Sequence, residues 1–221
     1  MCGRYTINIG RKCFEAVYES QMPLDFGSHF NIAPTHLVPI ITRGEDALEA
    51  SLTLMHWGFE GYKKNALHIN AKGETVARLP TFADSFRERR CIVPASGWYE
   101  WRAVGKKKQP YYLTAEDGEP LAFAGIWTPG RGDARFSIIT TAATEETRHI
   151  HDRTPVILGK DRWRVWLSDA PINELEAMLE PPKERTLDFY PVSQRVGKVE
   201  NNDESLVRSL YEEDDSSSRG A

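Results

Sequence analysis

The run Leu121-Ala-Phe-Ala-Gly-Ile-Trp127 constrains the chain more than any other stretch. It is apolar on both alternating faces, so as a strand it lies at the centre of a sheet covered on both sides. Other extended segments surround it: Tyr5 to Ile9, Leu37 to Thr42, Ala50 to Phe59, Cys91 to Ala95, Pro110 to Ala115, Arg135 to Ala142 and Val156 to Leu158. Residues 105–109 form a hairpin tip. Phe189 to Ser193 and Val196 to Val199 read as closing strands. Helices are short: 11–20, with Phe14, Val17 and Tyr18 on one face; 81–90, with Thr81 as N-cap; 161–167; and 172–180, stopped by Pro181 and Pro182. The pattern predicts an α+β fold: a single domain with a mostly antiparallel β-barrel-like sheet and short peripheral helices.

At 221 residues the chain is long enough for a substantial core. Residues 1–211 are expected to form the domain and 212–221 an acidic, disordered tail. The formal net charge of −4 does not advertise a nucleic-acid binder. Without the tail, however, the body is close to neutral and can carry a local basic groove. Arg87, Arg89 and Arg90 form one basic cluster and Lys106 to Lys108 another; each reads equally as a solvated helix end or hairpin tip. No apolar run approaches the roughly 20 residues of a membrane helix, so no membrane partner is expected. No secretory signal is visible. Three unpaired cysteines, Cys2, Cys13 and Cys91, suggest a reducing compartment, and the expected location is cytoplasmic.

The start, Met1-Cys2-Gly3-Arg4, carries unusual chemistry. Cytosolic processing removes an initiator Met before a small side chain, which leaves an amine and a thiol on neighbouring carbons of Cys2. Their unperturbed pKa values, about 8 and about 8.5, make both partly nucleophilic near neutral pH. An amine condenses with an aldehyde to an imine, and the adjacent thiol can close a five-membered thiazolidine. The bland reading is a small residue at a start codon.

Other positions carry two readings each. Trp57 before Gly58 is a core residue at a bulge or an aromatic platform for a base. Asn70 and Lys72 share a side if extended, and a buried Asn marks a hydrogen-bonding task. In Gly97-Trp-Tyr-Glu-Trp101, Trp98 and Glu100 share one strand face. Glu100 is then either desolvated, with a raised pKa suited to proton transfer, or at an exposed edge beside the lysines. His151, next to Asp152 and Arg153, is an acid–base candidate. His149 and His151 have no further ligands at metal-site spacing, so neither metal nor cofactor is expected.

Six pieces occur in order: Met-Cys-Gly-Arg at the start, Phe30-Asn-Ile-Ala-Pro34, Trp57-Gly58, Asn70-Ala71, Pro94-Ala-x-Gly-x-Tyr-Glu-Trp101 and Ile150-His-Asp-Arg-x-Pro155. Together they resemble the SRAP family, the SOS-response-associated peptidase or abasic-site-processing proteins, from residue 2 to about residue 202. The resemblance implies binding of single-stranded DNA at an abasic site. It implies that Cys2 forms a thiazolidine crosslink with the ring-opened deoxyribose after Met1 is removed, by the protein itself or by a processing enzyme. It assigns Asn70 to orienting Cys2, and Glu100 and His151 to moving protons. Arg4, Asn31, Pro34, Trp57, Lys72 and Arg153 would line the DNA groove. The expected protein is a monomer, associated with the nucleoid in a prokaryote and with replication-fork proteins.

Two features depart from the family pattern. Lys72 stands where Arg is usual, which loses a two-pronged phosphate contact. The usual Pro and second Trp after Trp57-Gly58 are missing, leaving Tyr62 as the nearest substitute for an apolar wedge. Two rival readings are a cysteine peptidase acting on protein, with Cys2 as nucleophile and His151 as base, and a non-covalent single-stranded DNA reader.

Overall fold

The computed structural model describes residues 2–23, 25–44, 50–61, 63, 66–159, 161–180 and 187–211. Met1, Tyr62, the Pro181–Pro182 stop and the tail 212–221 lie outside them. In chain order the elements are β1 (Tyr5–Ile7), α1 (Arg11–Tyr18), β2 (His29–Ile32), β3 (Leu37–Arg43), β4 (Ala50–Trp57), β5 (Phe59–Glu60), β6 (Leu67–His68) and β7 (Asn70–Lys72). Then follow α2 (Gly73–Val76), α3 (Ala83–Glu88), β8 (Arg90–Ala95), β9 (Gly97–Val104), β10 (Lys107–Ala115), β11 (Leu121–Thr128) and β12 (Arg135–Ala142). The chain closes with β13 (Arg153–Pro155), β14 (Ile157–Leu158), α4 (Trp163–Leu167), α5 (Ile172–Ala177), β15 (Leu187–Pro191) and two 3₁₀ turns, Gln194–Gly197 and Glu204–Val207.

The apolar run lies in β11, which pairs with β8 on one edge and β12 on the other. The pairings β12–β4, β4–β3, β3–β8, β8–β11 and β11–β12 return to their start, so five strands close into a barrel. Closure removes the open edges that a flat sheet would expose. The β4–β12 contact is parallel and rests on two register pairs, Arg135↔His56 and Phe136↔Trp57. Beyond it, β7 continues along the same edge of β12.

A second sheet, in the order β15-β10-β9-β1-β2, is antiparallel throughout. Register pairs Trp98 with both Tyr5 and Leu113, so these three share one face. That face packs on the barrel: Trp98 and Tyr5 both meet the Phe123 ring edge-on, at 5.7 and 6.4 Å. The opposite face carries Thr6, Gly97, Tyr99 and Tyr112 and packs with Val192, Val196 and Leu206. Gly97 is required there, because a Cβ would sit 2.5 Å from the Tyr112 ring and from the Leu113 carbonyl.

The structure corrects several sequence expectations. Residues 194–197 form a 3₁₀ turn where Val196–Val199 read as a strand, and the N-cap of α3 is Phe82, without a side-chain bond from Thr81. β2 was not expected as a strand. Its pairing with β1 forms it, and its short, polar-interrupted sequence carries little periodicity. Arg90 is buried and donates to the carbonyls of Phe86, Arg87, Trp166 and Ser168. Arg87 pairs with Asp84 and Arg89 with Glu88, so this cluster is not an open basic patch. Among the described residues no helix is long and apolar enough to cross a membrane.

Candidate active site

β1 starts three residues after Cys2 and hydrogen-bonds into the second sheet, which fixes the amino-terminal segment against the fold. Cys2 is wholly buried. The Asn70 amide, at the start of β7, donates to the Cys2 carbonyl at 2.9 Å. The Cys2 thiol lies 4.0 Å from the Arg4 carbonyl, which itself accepts the Tyr99 N–H at 3.0 Å. Burial pushes the thiol pKa well up, and the charge of Glu100 pushes it further. The thiol is therefore protonated at neutral pH.

Glu100 is 3% exposed and reaches the site from the Trp98 face of β9. Desolvation raises its pKa to about 7, against the opposing charge of the chain's amino terminus. Of the two readings for this carboxyl, the buried one is realised. Glu100 Oε2 lies 4.0 Å from His151 Nε2. The other ring nitrogen, Nδ1, accepts the Arg153 backbone N–H at 3.0 Å. Nδ1 also lies 3.0 Å from Asp152 Oδ1, so the ring is held between two carboxyl groups, with Nε2 toward Glu100. Desolvation and the amino-terminal charge lower the His151 pKa, while Asp152 acts in the opposite direction.

Arg153 completes this side. Its guanidinium grips Glu74 with two bonds, Nη1 to Oε1 at 2.5 Å and Nη2 to Oε2 at 2.9 Å. Nη2 also reaches the Thr140 carbonyl at 2.6 Å. Lys72 is exposed on β7, and its charge acts on Glu74. Pro34 is half-buried before Thr35, whose positive φ turns the chain toward the Trp57 carbonyl.

The fold therefore gathers Cys2, Asn70, Glu100, His151 and Arg153, with Lys72 nearby. It separates others expected in a DNA groove. Trp57 is wholly buried: its ring stacks at 6.2 Å on Phe136 and its Nε1–H donates to the Ile69 carbonyl. It offers no face to a base, which corrects the platform reading. Asn31 is 2% exposed and donates to the carbonyls of Val196, Lys198 and Asn201. These bonds tie β2 to the C-terminal turns. Arg4 is spent on the same region, donating to Asn31 Oδ1 at 2.8 Å and to the Val196 carbonyl at 2.9 Å.

Trp98 and Thr154 were not singled out as site residues. Both are buried and lie with Glu100, His151 and Arg153 around one narrow recess. Trp98 Nε1, Thr154 Oγ1 and Asn70 Oδ1 are buried with no hydrogen-bond partner among the described residues. Unpaired buried polar atoms are costly in a folded protein and mark places where a ligand or water completes the bonding. For Trp98 the signal was available, since it shares a strand face with Glu100. For Thr154 none was.

A wholly buried thiol held protonated, beside a carboxyl that titrates near neutrality, is poorly suited to direct thiolate attack. It suits addition of the thiol after another nucleophile has acted. No cluster of three His, Cys, Asp or Glu side chains able to hold a metal occurs among the described residues.

The family model described as SOS response associated peptidase (SRAP) matches residues 1–199. The chain is 31% identical over 225 residues to the abasic site processing protein YedK of Escherichia coli (strain K12), covering 95% of this chain and 100% of that protein. It is 30% identical over 233 residues to the abasic site processing protein YoqW of Bacillus subtilis (strain 168), with 95% and 100% covered. A crystal structure of a protein from Bacteroides thetaiotaomicron superposes with a TM-score of 0.81 at 24% identity, covering 95% of this chain and 100% of that chain, and shares the fold.

Proposed function

Because the chain belongs to the SOS response associated peptidase family, we propose that it processes abasic sites in single-stranded DNA by covalent capture on Cys2. The ring-opened abasic sugar presents an aldehyde. With Met1 removed, the Cys2 amine adds to that carbon, and the carbinolamine loses water to give an imine. The thiol sulfur then bonds to the imine carbon, its proton passes to the nitrogen, and a thiazolidine links protein to DNA. The product shields the lesion from strand cleavage and error-prone bypass. Removal of Met1 by the protein itself belongs to the same reading.

The observation that carries this proposal is the Glu100 carboxyl, buried beside Cys2 with a pKa of about 7. Such a group is present in both protonation states at neutral pH. It can take a proton from the attacking amine and return one to the departing water. His151 supports it from Nε2, and Asn70 holds the Cys2 backbone so that amine and thiol keep one orientation. The raised thiol pKa favours amine attack first and sulfur second, the reverse of a peptidase using a thiolate. Lys72 and Arg153 would meet backbone phosphates, with the protein acting as a monomer.

The test is intact-mass spectrometry of the purified protein, alone and after incubation with a single-stranded oligonucleotide carrying one abasic site. The expected result is loss of the Met mass and a denaturation-resistant adduct, absent with undamaged DNA and with Cys2→Ala. Acetylation of the amine with the thiol left free should also abolish it. A mature Cys2 terminus that gives no adduct refutes covalent capture. An equally stable adduct from Cys2→Ser refutes the thiazolidine.

A further inference from the structure

The pair formed by Arg153 and Glu74 is two-pronged, as is the surface pair Arg195–Asp203, but its arginine is far less exposed. Nη1 and Nη2 each donate to one carboxylate oxygen, at 2.5 and 2.9 Å. A phosphodiester presents its two free oxygens to arginine in the same two-pronged way. The two partners are held unequally. The Arg153 side chain is 15% exposed and is also tied to the Thr140 carbonyl, whereas Glu74 is 52% exposed at the start of the four-residue α2. The cation is fixed and the anion sits on the looser arm. Two further observations point to an anionic ligand here. Arg153 Nε is buried with no partner among the described residues. Lys72 is exposed two residues before Glu74, and its charge bears on the same carboxylate.

We propose that Glu74 acts as a stand-in anion on the Arg153 fork, occupying it until a strand phosphate displaces it. This rests on the reading of the protein as a DNA-binding one. Binding is then an exchange of one anion for another. When phosphate enters, Glu74 is released and must gather its own counterion. The contact at Arg153 therefore yields almost no net counterion release in the natural protein. A passing strand gains little at this subsite, and stable engagement depends on the chemistry at Cys2. Arg153 also lends its backbone N–H to His151, so the exchange takes place beside the groups that would move protons.

The experiment is a salt titration of binding to an undamaged single-stranded oligothymidylate, measured by fluorescence anisotropy. It uses the full-length protein and the Glu74→Gln, Glu74→Asp and Arg153→Gln/Glu74→Gln variants, each checked for fold by circular dichroism. Glu74→Gln should tighten binding several-fold at low salt. It should also steepen the slope of log K against log salt by about 0.7, the value for one additional phosphate contact on a single strand. Glu74→Asp keeps the charge and should retain the natural slope. Arg153→Gln in the Glu74→Gln background should abolish both gains. DNA binding with an unchanged slope in Glu74→Gln, or gains that survive loss of Arg153, would overturn the exchange while leaving the proposed function standing. Absence of salt-dependent DNA binding in every form would overturn the exchange, and adduct formation on abasic DNA then decides the proposed function separately.

Discussion

The two faces of β9 are built from similar side chains and do opposite things. The face carrying Tyr99 closes its hydrogen bonds internally. Tyr99 donates to the Phe30 carbonyl at 2.8 Å, Tyr112 bonds with Thr6 at 2.8 Å, and Tyr190 donates to the Val207 carbonyl at 3.0 Å. The face carrying Trp98 and Glu100 leaves Trp98 Nε1 without a partner among the described residues and buries a carboxyl whose pKa is raised to about 7. An aromatic-rich strand therefore does not by itself mark either a core or a site. The useful sign is the state of the polar atoms. Where the protein satisfies them, the face is structural; where it leaves them buried and unmet, the face is a candidate for ligand contact.

If that division is right, substitutions on one face change rate and on the other change stability. The largest expected effect is on Glu100→Gln. It should lower the rate of covalent capture by about 10²- to 10⁴-fold, the usual loss on removing a general acid–base group. The protein should remain folded at pH 7, and quenched time courses read by denaturing gel measure the change.

The same carboxyl gives a pH signature. Its folded pKa of about 7 lies above the ordinary value of 4.5, so folding favours the protonated form. This contribution is complete below about pH 4.5 and is lost as pH rises through about 7. The shift corresponds to about 3 kcal/mol. Denaturant melts at pH 4.5 and pH 8 should therefore show the natural protein losing more stability than Glu100→Gln over that interval. Parallel losses in the two proteins would break the assignment of Glu100 as a desolvated acid.

On the structural side, Asn31→Ala strips three carbonyls and Arg4 of their partner. It should cost about 2–3 kcal/mol, as expected when several buried groups are left unmet. The capture rate per folded molecule should hold. A large rate loss with normal stability would return Asn31 to the functional set. The smallest effect is on Tyr99→Phe, about 1 kcal/mol for one hydrogen bond. Urea titration resolves it, and no change in capture is expected.

Much of the site was legible in the sequence because its members lie in short, distinctive segments. Cys2 sits at a fixed end of the chain, Glu100 alternates with aromatics on a strand, and His151 stands in a dense polar run. Trp57 and Asn31 occur in equally distinctive segments and face inward. Nothing local distinguishes a tryptophan that stacks on Phe136 from one open to a base, because the difference lies in β12, some 80 residues away. Arg90 misleads for the same reason: its partners Trp166 and Ser168 come from α4 and its C-cap.

The sequence by itself determined the strand-rich α+β class and the central position of the Leu121–Trp127 run. Alternation and apolar runs are properties of neighbouring residues. Tertiary structure alone decided that β12 joins β11 to β4 and closes the barrel, and that Glu100 is desolvated enough to titrate near neutrality. It also decided that the Arg153 fork meets Glu74. Each of these depends on atoms from distant segments approaching within a few ångströms, and both burial energy and Coulomb interaction are set by that distance.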